Sequence, residues 1–169
     1  MSDAALPIPP MPPGATPEAR LAALGIVLPV LTPPRGAYVR ATRAGDTLFL
    51  AGHGPAPDAD GNRPSGRIGA ELTEAEGYAA ARRCGIALLA TLANELGDLG
   101  RVVRVLRVVA WMRCAPGFTA TPRIADGCSH LLLSVLGPEA GSHARAAVGV
   151  EMLPFGLPVE VEAIVAIRD

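Results

Sequence analysis

The chain is poor in aromatic residues, in charge and in cysteine. Aromatics make up 4% and charged residues 18% of its 169 residues, and the formal net charge is −1. A near-neutral chain without an RNP-like run of basic and aromatic residues lacks the electrostatic footprint that captures nucleic acid, so no such partner is expected. Half of the residues are hydrophobic, yet no apolar run reaches the roughly 18 residues of a spanning helix, and no membrane partner is expected. The opening MSDAALPIPPMPPGATP has neither a basic start nor a continuous apolar stretch, which argues against a secretory signal and for the cytoplasm. Three cysteines, Cys84, Cys114 and Cys128, are odd in number and widely spaced. That suits neither a disulfide framework nor a metal knuckle, and they read as small apolar residues in a reducing compartment. His130 and His143 stand at no ligand spacing with a cysteine or an acid, so a zinc site is not expected. There is no GxGxxG and no P-loop, which excludes a doubly wound nucleotide fold.

What is present is one domain's worth of alternating signals. Residues 1–16, rich in proline and alanine, read as a flexible arm, and residues 17–169 as a single domain. Thr16-Pro17-Glu18 is a helix start, with the helix ended by Gly25. IVLPVLTPPRG, with Pro29, Pro33 and Pro34, is extended because proline removes backbone donors. From Ala37 the period becomes two: AYVRAT and DTLFLAG bracket a turn at Arg43-Ala44-Gly45-Asp46 and predict a hairpin, with Tyr38 and Arg40 on one face. Residues 55–68 form a turn-rich loop. Thr73 with Glu76 makes a capping box for a helix that Gly97 stops. RVVRVLRVVAWMR, residues 101–113, predicts a long strand with Arg101, Val103, Val105, Arg107, Val109, Trp111 and Arg113 on one side. Its arginines are divided between both faces, which fits solvated charges or subunit contacts better than RNA phosphates. Trp111 reads as packing. PRIADGCSHLLLSVLG is a second long helix. The order predicts an α+β protein, a single mixed sheet with two helices on one face.

The final stretch, HARAAVGVEMLPFGLPVEVEAI, reads as two strands joined by a turn. As a hairpin, with Met152 opposite Val159, it would set Arg145 against Ala166 and Glu160 against Glu151. Arg145 and Glu160 would then lie about 20 Å apart, so a site using both would need strong curvature or a second copy of the chain. An arginine suits a carboxylate ligand because its planar fork of donors binds bidentately, although an interface ion pair would use the same residue. Glu160 and Glu162 could equally be the wet face of an edge strand. His53 could carry a proton near neutral pH or be a hydrogen-bonded structural residue.

GAYVRATRAGDTLFLAGHGP together with ARAAVGVEMLPFGLPVEVEAIVAI resembles the RidA (YjgF-type) family over about residues 34–168. The resemblance implies a chorismate-mutase-like fold and a homotrimer with a central barrel and clefts between subunits. It also implies an enzyme that hydrolyses a small imino or enamine acid to a keto acid and ammonia, in the manner of a 2-iminobutanoate/2-iminopropanoate deaminase, with no metal or cofactor. On that resemblance Arg145 holds the carboxylate, Glu160 orients water, and Tyr38, Gly52, His53, Asp126 and Ala147 line the substrate site. The chain departs from the family where Ala51-Gly52-His53 stands for serine-glycine-glutamine, Ala147 for a cysteine, and Asp126 near a frequent asparagine. These changes keep open a second expectation, a trimer that binds a small carboxylate metabolite without chemistry. The nuclease activity reported for relatives has no catalytic signature among these residues.

Overall fold

Thr73 Oγ1 accepts the Glu76 N–H at 3.2 Å while the Glu76 carboxylate accepts the Thr73 N–H at 2.8 Å. Two donors that the first helical turn leaves without partners are thereby satisfied, and the helix runs from Glu74 to Leu96 before Gly97 ends it. The computed structural model describes residues 14–34 and 36–169. Its elements are α1 (Pro17–Ala23), β1 (Ala41–Ala44), β2 (Thr47–His53), α2 (Glu74–Leu96), β3 (Val102–Arg113), α3 (Thr121–Gly141), β4 (Ala144–Val150) and β5 (Val159–Ile167). The arm expected over residues 1–16 lies, up to residue 13, outside the described residues. α1 starts where Thr16 caps it, and Glu18 accepts the Leu99 N–H at 3.0 Å, which ties the helix to the turn before β3.

The strands form one sheet in the order β1-β2-β5-β3-β4. β3 and β4 are parallel and every other pair is antiparallel. The expected hairpin of the last two strands does not form: β3 lies between β4 and β5. α3 carries the chain back to the start of β3, so β4 must run parallel to it, as a β-helix-β crossover requires. The segment 151–158, held by Pro154 and Pro158, then crosses the end of β3 and lays β5 on its other side. Arg145 consequently sits opposite Val108, and Glu160 opposite Trp111, in place of the partners expected from a hairpin.

β5 is the middle strand. Val159, Val161, Ala163, Val165 and Ile167 are all buried under the helices, while Glu160, Glu162, Ile164 and Ala166 alternate to the other face. The strict alternation expected along β3 fails. Two β-bulges, between Val102 and Arg104 and between Val105 and Arg107, each insert one residue, so Val102, Val105 and Val108 all point at the helices. Val105 therefore leaves the side shared by Arg107, Val109 and Trp111.

α2 and α3 cover one face of the sheet, with Leu88, Leu92, Ile124, Leu132 and Val135 buried between the layers. Each of these side chains contributes about 1.5–3 kcal/mol relative to exposure. Cys84 and Cys128 are fully buried there. Burial pushes the Cys128 thiol up to about 12 and the Cys84 thiol well above its usual value, which makes both poor nucleophiles. Near its end α3 breaks at Gly137 (φ 86°, ψ 171°), one residue before Pro138.

Candidate functional site

Where the chain enters β1, the extended segment with Pro29, Pro33 and Pro34 passes over the end of the sheet and leaves a cavity of about 610 Å³. Its other walls come from Tyr38 and Arg40, from Ala51–Gly54 of β2 and the following turn, from Ala87 of α2, from Pro154, Phe155 and Leu157, and from Glu160 of β5. Four of the expected site residues, Tyr38, Gly52, His53 and Glu160, are thus brought to one cavity. The strand expected from Ala37 begins only at Ala41, and Tyr38 and Arg40 reach the cavity from the bends that lead into it.

At the cavity wall β2 bulges between Leu50 and His53, and the His53 side chain bonds across that bulge. Its ring is buried. Nδ1 lies 2.6 Å from the Ala51 carbonyl, which can only accept, so Nδ1 carries the proton and Nε2 accepts the Thr91 hydroxyl at 2.7 Å. Burial lowers the His53 pKa, the Ala51 carbonyl opposes this, and the charge of Arg40 adds to the lowering. The ring is therefore a neutral structural pin, and the proton-carrier reading gives way to the structural one. Replacing Thr91 by Val should leave Nε2 buried without a donor and cost about 1–3 kcal/mol. Chemical denaturation measures this, and a loss below about 0.5 kcal/mol would show that the bond carries no weight.

Glu160 lies against Gly52 so closely that a Cβ at residue 52 would fall onto the carboxylate and displace it. Among the described residues Glu160 has no hydrogen-bond or ion-pair partner. Partial burial, followed by the like charge of Glu162 two residues on, raises its pKa above the ordinary carboxylate value. A half-buried carboxylate facing a cavity, with no ion pair among the described residues, can accept and return a proton.

Arg145, Asp126 and Ala147 lie elsewhere. Arg145 points to the helix side of the sheet, where Nη1 donates to Asp126 Oδ1 at 2.7 Å and to Ser129 Oγ at 2.9 Å, and Nη2 donates to the Pro122 carbonyl at 3.1 Å. Ser129 lies 2.9 Å from His143 Nε2, and His143 Nδ1 donates to the Gly141 carbonyl at 2.7 Å. With the side chains 22% and 37% exposed, the Arg145–Asp126 pair contributes at most about 1 kcal/mol to stability. Its effect is to aim the guanidinium. Ala147 accepts the Thr121 hydroxyl through its carbonyl at 3.3 Å. Arg145 and Glu160 are separated by one intervening strand, roughly 10 Å, and by the three-residue offset from Val108 to Trp111, and they face opposite sides of the sheet. Within one chain they do not meet.

Sequence reasoning did not single out the residues that hold the others: Thr91 for His53, and Ser129 and His143 for Arg145. It also passed over Arg40 and Arg63 as site residues, although both line the cavity and the period-two pattern had already placed Arg40 beside Tyr38. Among the described residues no group of three His, Cys, Asp or Glu side chains could hold a metal ion. None of the described helices is long and apolar enough to cross a membrane.

A mixed sheet covered on one face by helices, with a carboxylate-bearing cavity at its end, defines a chorismate-mutase-like α+β protein. Residues 18–161 match the family described as "YjgF/chorismate_mutase-like, putative endoribonuclease", and the chain belongs to that family. Among relatives, Protein TCP17 of Trypanosoma cruzi is 43% identical over 151 residues, 89% of this chain and 94% of that protein. Among solved structures, Atu1372 of Agrobacterium tumefaciens, described as of unknown function, is 34% identical with a TM-score of 0.82, covering 90% of this chain and 94% of that one. A Shewanella oneidensis protein described as a "putative endoribonuclease" is 29% identical with a TM-score of 0.85, covering 90% of this chain and all of that one.

Proposed function

We propose that this protein hydrolyses the imine or enamine form of a small amino acid to a keto acid and ammonia. The observation that carries the reading is Glu160: a carboxylate without a partner among the described residues, with a raised pKa, at the wall of a cavity that can hold a small acid. A water beside Glu160 adds to the C2 of the imine while its proton passes through the carboxylate to nitrogen. The carbinolamine so formed then gives its hydroxyl proton through the same carboxylate to nitrogen, the C–N bond breaks, ammonia leaves and the carbonyl closes. Tyr38 stands in the same wall to position substrate or water.

The substrate carboxylate requires a cation, and Arg145 serves if a neighbouring copy presents its β4 edge to the cavity. Such an arrangement fits the trimer with clefts between subunits that the sequence resemblance implies. It is supported by the sheet face away from the helices, where Phe49, Val109 and Ile164 surround a second hollow of about 210 Å³ with Arg107 and Glu162, an apolar face suited to another copy.

The test is ammonia and keto-acid release from freshly generated 2-aminoacrylate, against an enzyme-free blank. Wild type should exceed the blank, and Arg145→Ala should fall to it while light scattering shows the same oligomer. A wild-type rate equal to the blank across a panel of imines, together with binding of the keto acids, would move the assignment to a carboxylate-binding protein without chemistry. The absence of a hydroxyl at Ala51 and of a thiol at Ala147 favours that second reading.

A pH dependence follows from the electrostatics. Glu160 works as the ionised form, so activity rises as pH rises through its pKa, and burial together with Glu162 places that limb above the ordinary carboxylate range. Glu162→Gln removes the like charge, lowers the Glu160 pKa and should carry the acid limb of kcat to lower pH. An unmoved limb would show that Glu160 does not titrate in the rate.

A further inference from the structure

The cavity holds more positive charge than the proposed chemistry uses. Arg40 and Arg63 both line it, and Glu160 is the only carboxylate among its described lining residues. Neither arginine has an ion-pair partner among the described residues. Arg40 Nη2 donates to the Thr32 carbonyl at 2.6 Å, its Nε is buried with no acceptor, and Arg63 Nε donates to the Pro55 carbonyl at 2.9 Å. Arg145, by contrast, already lies against a carboxylate of its own chain.

The position of Arg40 sets what that ligand must be. Its carbonyl accepts the Ala51 N–H at 2.9 Å, which places it one strand beyond Gly52 and two beyond Glu160, on the order of 10 Å between backbones. Leu31, Pro34 and Leu157 give the same cavity apolar walls. A molecule whose reacting carbon sits at Glu160 reaches Arg40 through a short apolar chain that ends in an anion. We propose that Arg40, with Arg63 of the same cavity lining, forms a second anion subsite, so that the substrates of this chain are 2-imino acids with a second carboxylate at the far end of the side chain. The assignment of substrate class rests on the deaminase reading; the anion subsite itself rests on the cavity alone.

The experiment compares imines freshly generated from glutamate and from norleucine, which match in length and differ in the distal charge. Wild type should prefer the glutamate imine, and Arg40→Gln, which retains a donor for the Thr32 carbonyl, should reduce that preference by about ten- to a hundredfold, the range for a charged hydrogen bond. Arg40→Lys should recover part of it. Equal losses on both imines, or an unchanged preference, would overturn the subsite. Should Arg40→Gln fail to fold by circular dichroism, Arg63→Gln is the second variant, with the same preference as its readout. Calorimetric binding of 2-oxoglutarate and 2-oxohexanoate to the full chain separates the two levels. If no imine is turned over but 2-oxoglutarate binds at least tenfold tighter, and Arg40→Gln removes the difference, the deaminase reading fails and the subsite stands. If the two keto acids bind alike, the subsite fails whatever the turnover.

Discussion

Glu160→Gln is expected to lower kcat for imine hydrolysis by about 10²- to 10⁴-fold, the usual contribution of a positioned general acid–base group. The substitution keeps shape and volume, so the contact with Gly52 and the course of β5 remain. What it removes is the capacity to take a proton from water and return it to nitrogen. Two alternatives predict other results. If Glu160 only shapes the cavity, the amide does so equally well and kcat changes less than threefold. If Glu160 repels a substrate carboxylate, the amide binds substrate better and KM falls with kcat preserved. Initial rates of ammonia release over a range of substrate concentrations decide between these, with thermal melting to show that the variant is folded. A loss confined to kcat, with KM nearly constant, is the result that marks an interaction made in the transition state.

Gly127→Ala should destabilise the fold by about 1–3 kcal/mol, the cost of an added methyl where neither side has room. A Cβ on Gly127 of α3 would fall onto the Tyr78 carbonyl oxygen of α2, with the Arg82 nitrogen 3.1 Å away. These are backbone atoms of a helix and cannot rotate aside, so α2 and α3 would have to separate. The strain would reach Leu88, Leu132 and Val135, which are buried between the layers. At roughly 2–4 °C per kcal/mol for a chain of this size, the melting temperature should drop by several degrees. Gly149→Ala is the control: its nearest atom is Thr121 Cγ2 at 3.9 Å, and it should melt within a degree or two of wild type. Equal melting temperatures for both variants would mean that the two helices do not approach through Gly127.

The two predictions draw on different kinds of information. The capping box at Thr73 and Glu76, the β1–β2 hairpin and the proline-rich extended segment were legible because they depend on neighbours two to four residues apart. The catalytic reading of Glu160 and Arg145 came from a family resemblance over the closing segment. That resemblance also led Arg145, Asp126 and Ala147 to be grouped with Tyr38, Gly52, His53 and Glu160. The fold divides them: the last four share the cavity, and the first three lie beyond β3 on the helix side, so that a complete site of the proposed kind needs two copies of the chain.

Local pattern therefore determined that these helices and strands exist, where the capped helices begin, and which side of β5 is apolar. It could not determine that β3 inserts between β4 and β5, because strand order is set by how α3 carries the chain across the sheet, a matter of packing between residues far apart in sequence. Nor could it foresee the bulges in β3, which move Val105 to the core by a shift of one residue. His53 read equally well as a proton carrier or as a structural residue until Thr91, thirty-eight positions away, was seen to donate to its ring. Only the tertiary structure decides such cases, since a side chain's charge and burial are properties of what packs around it.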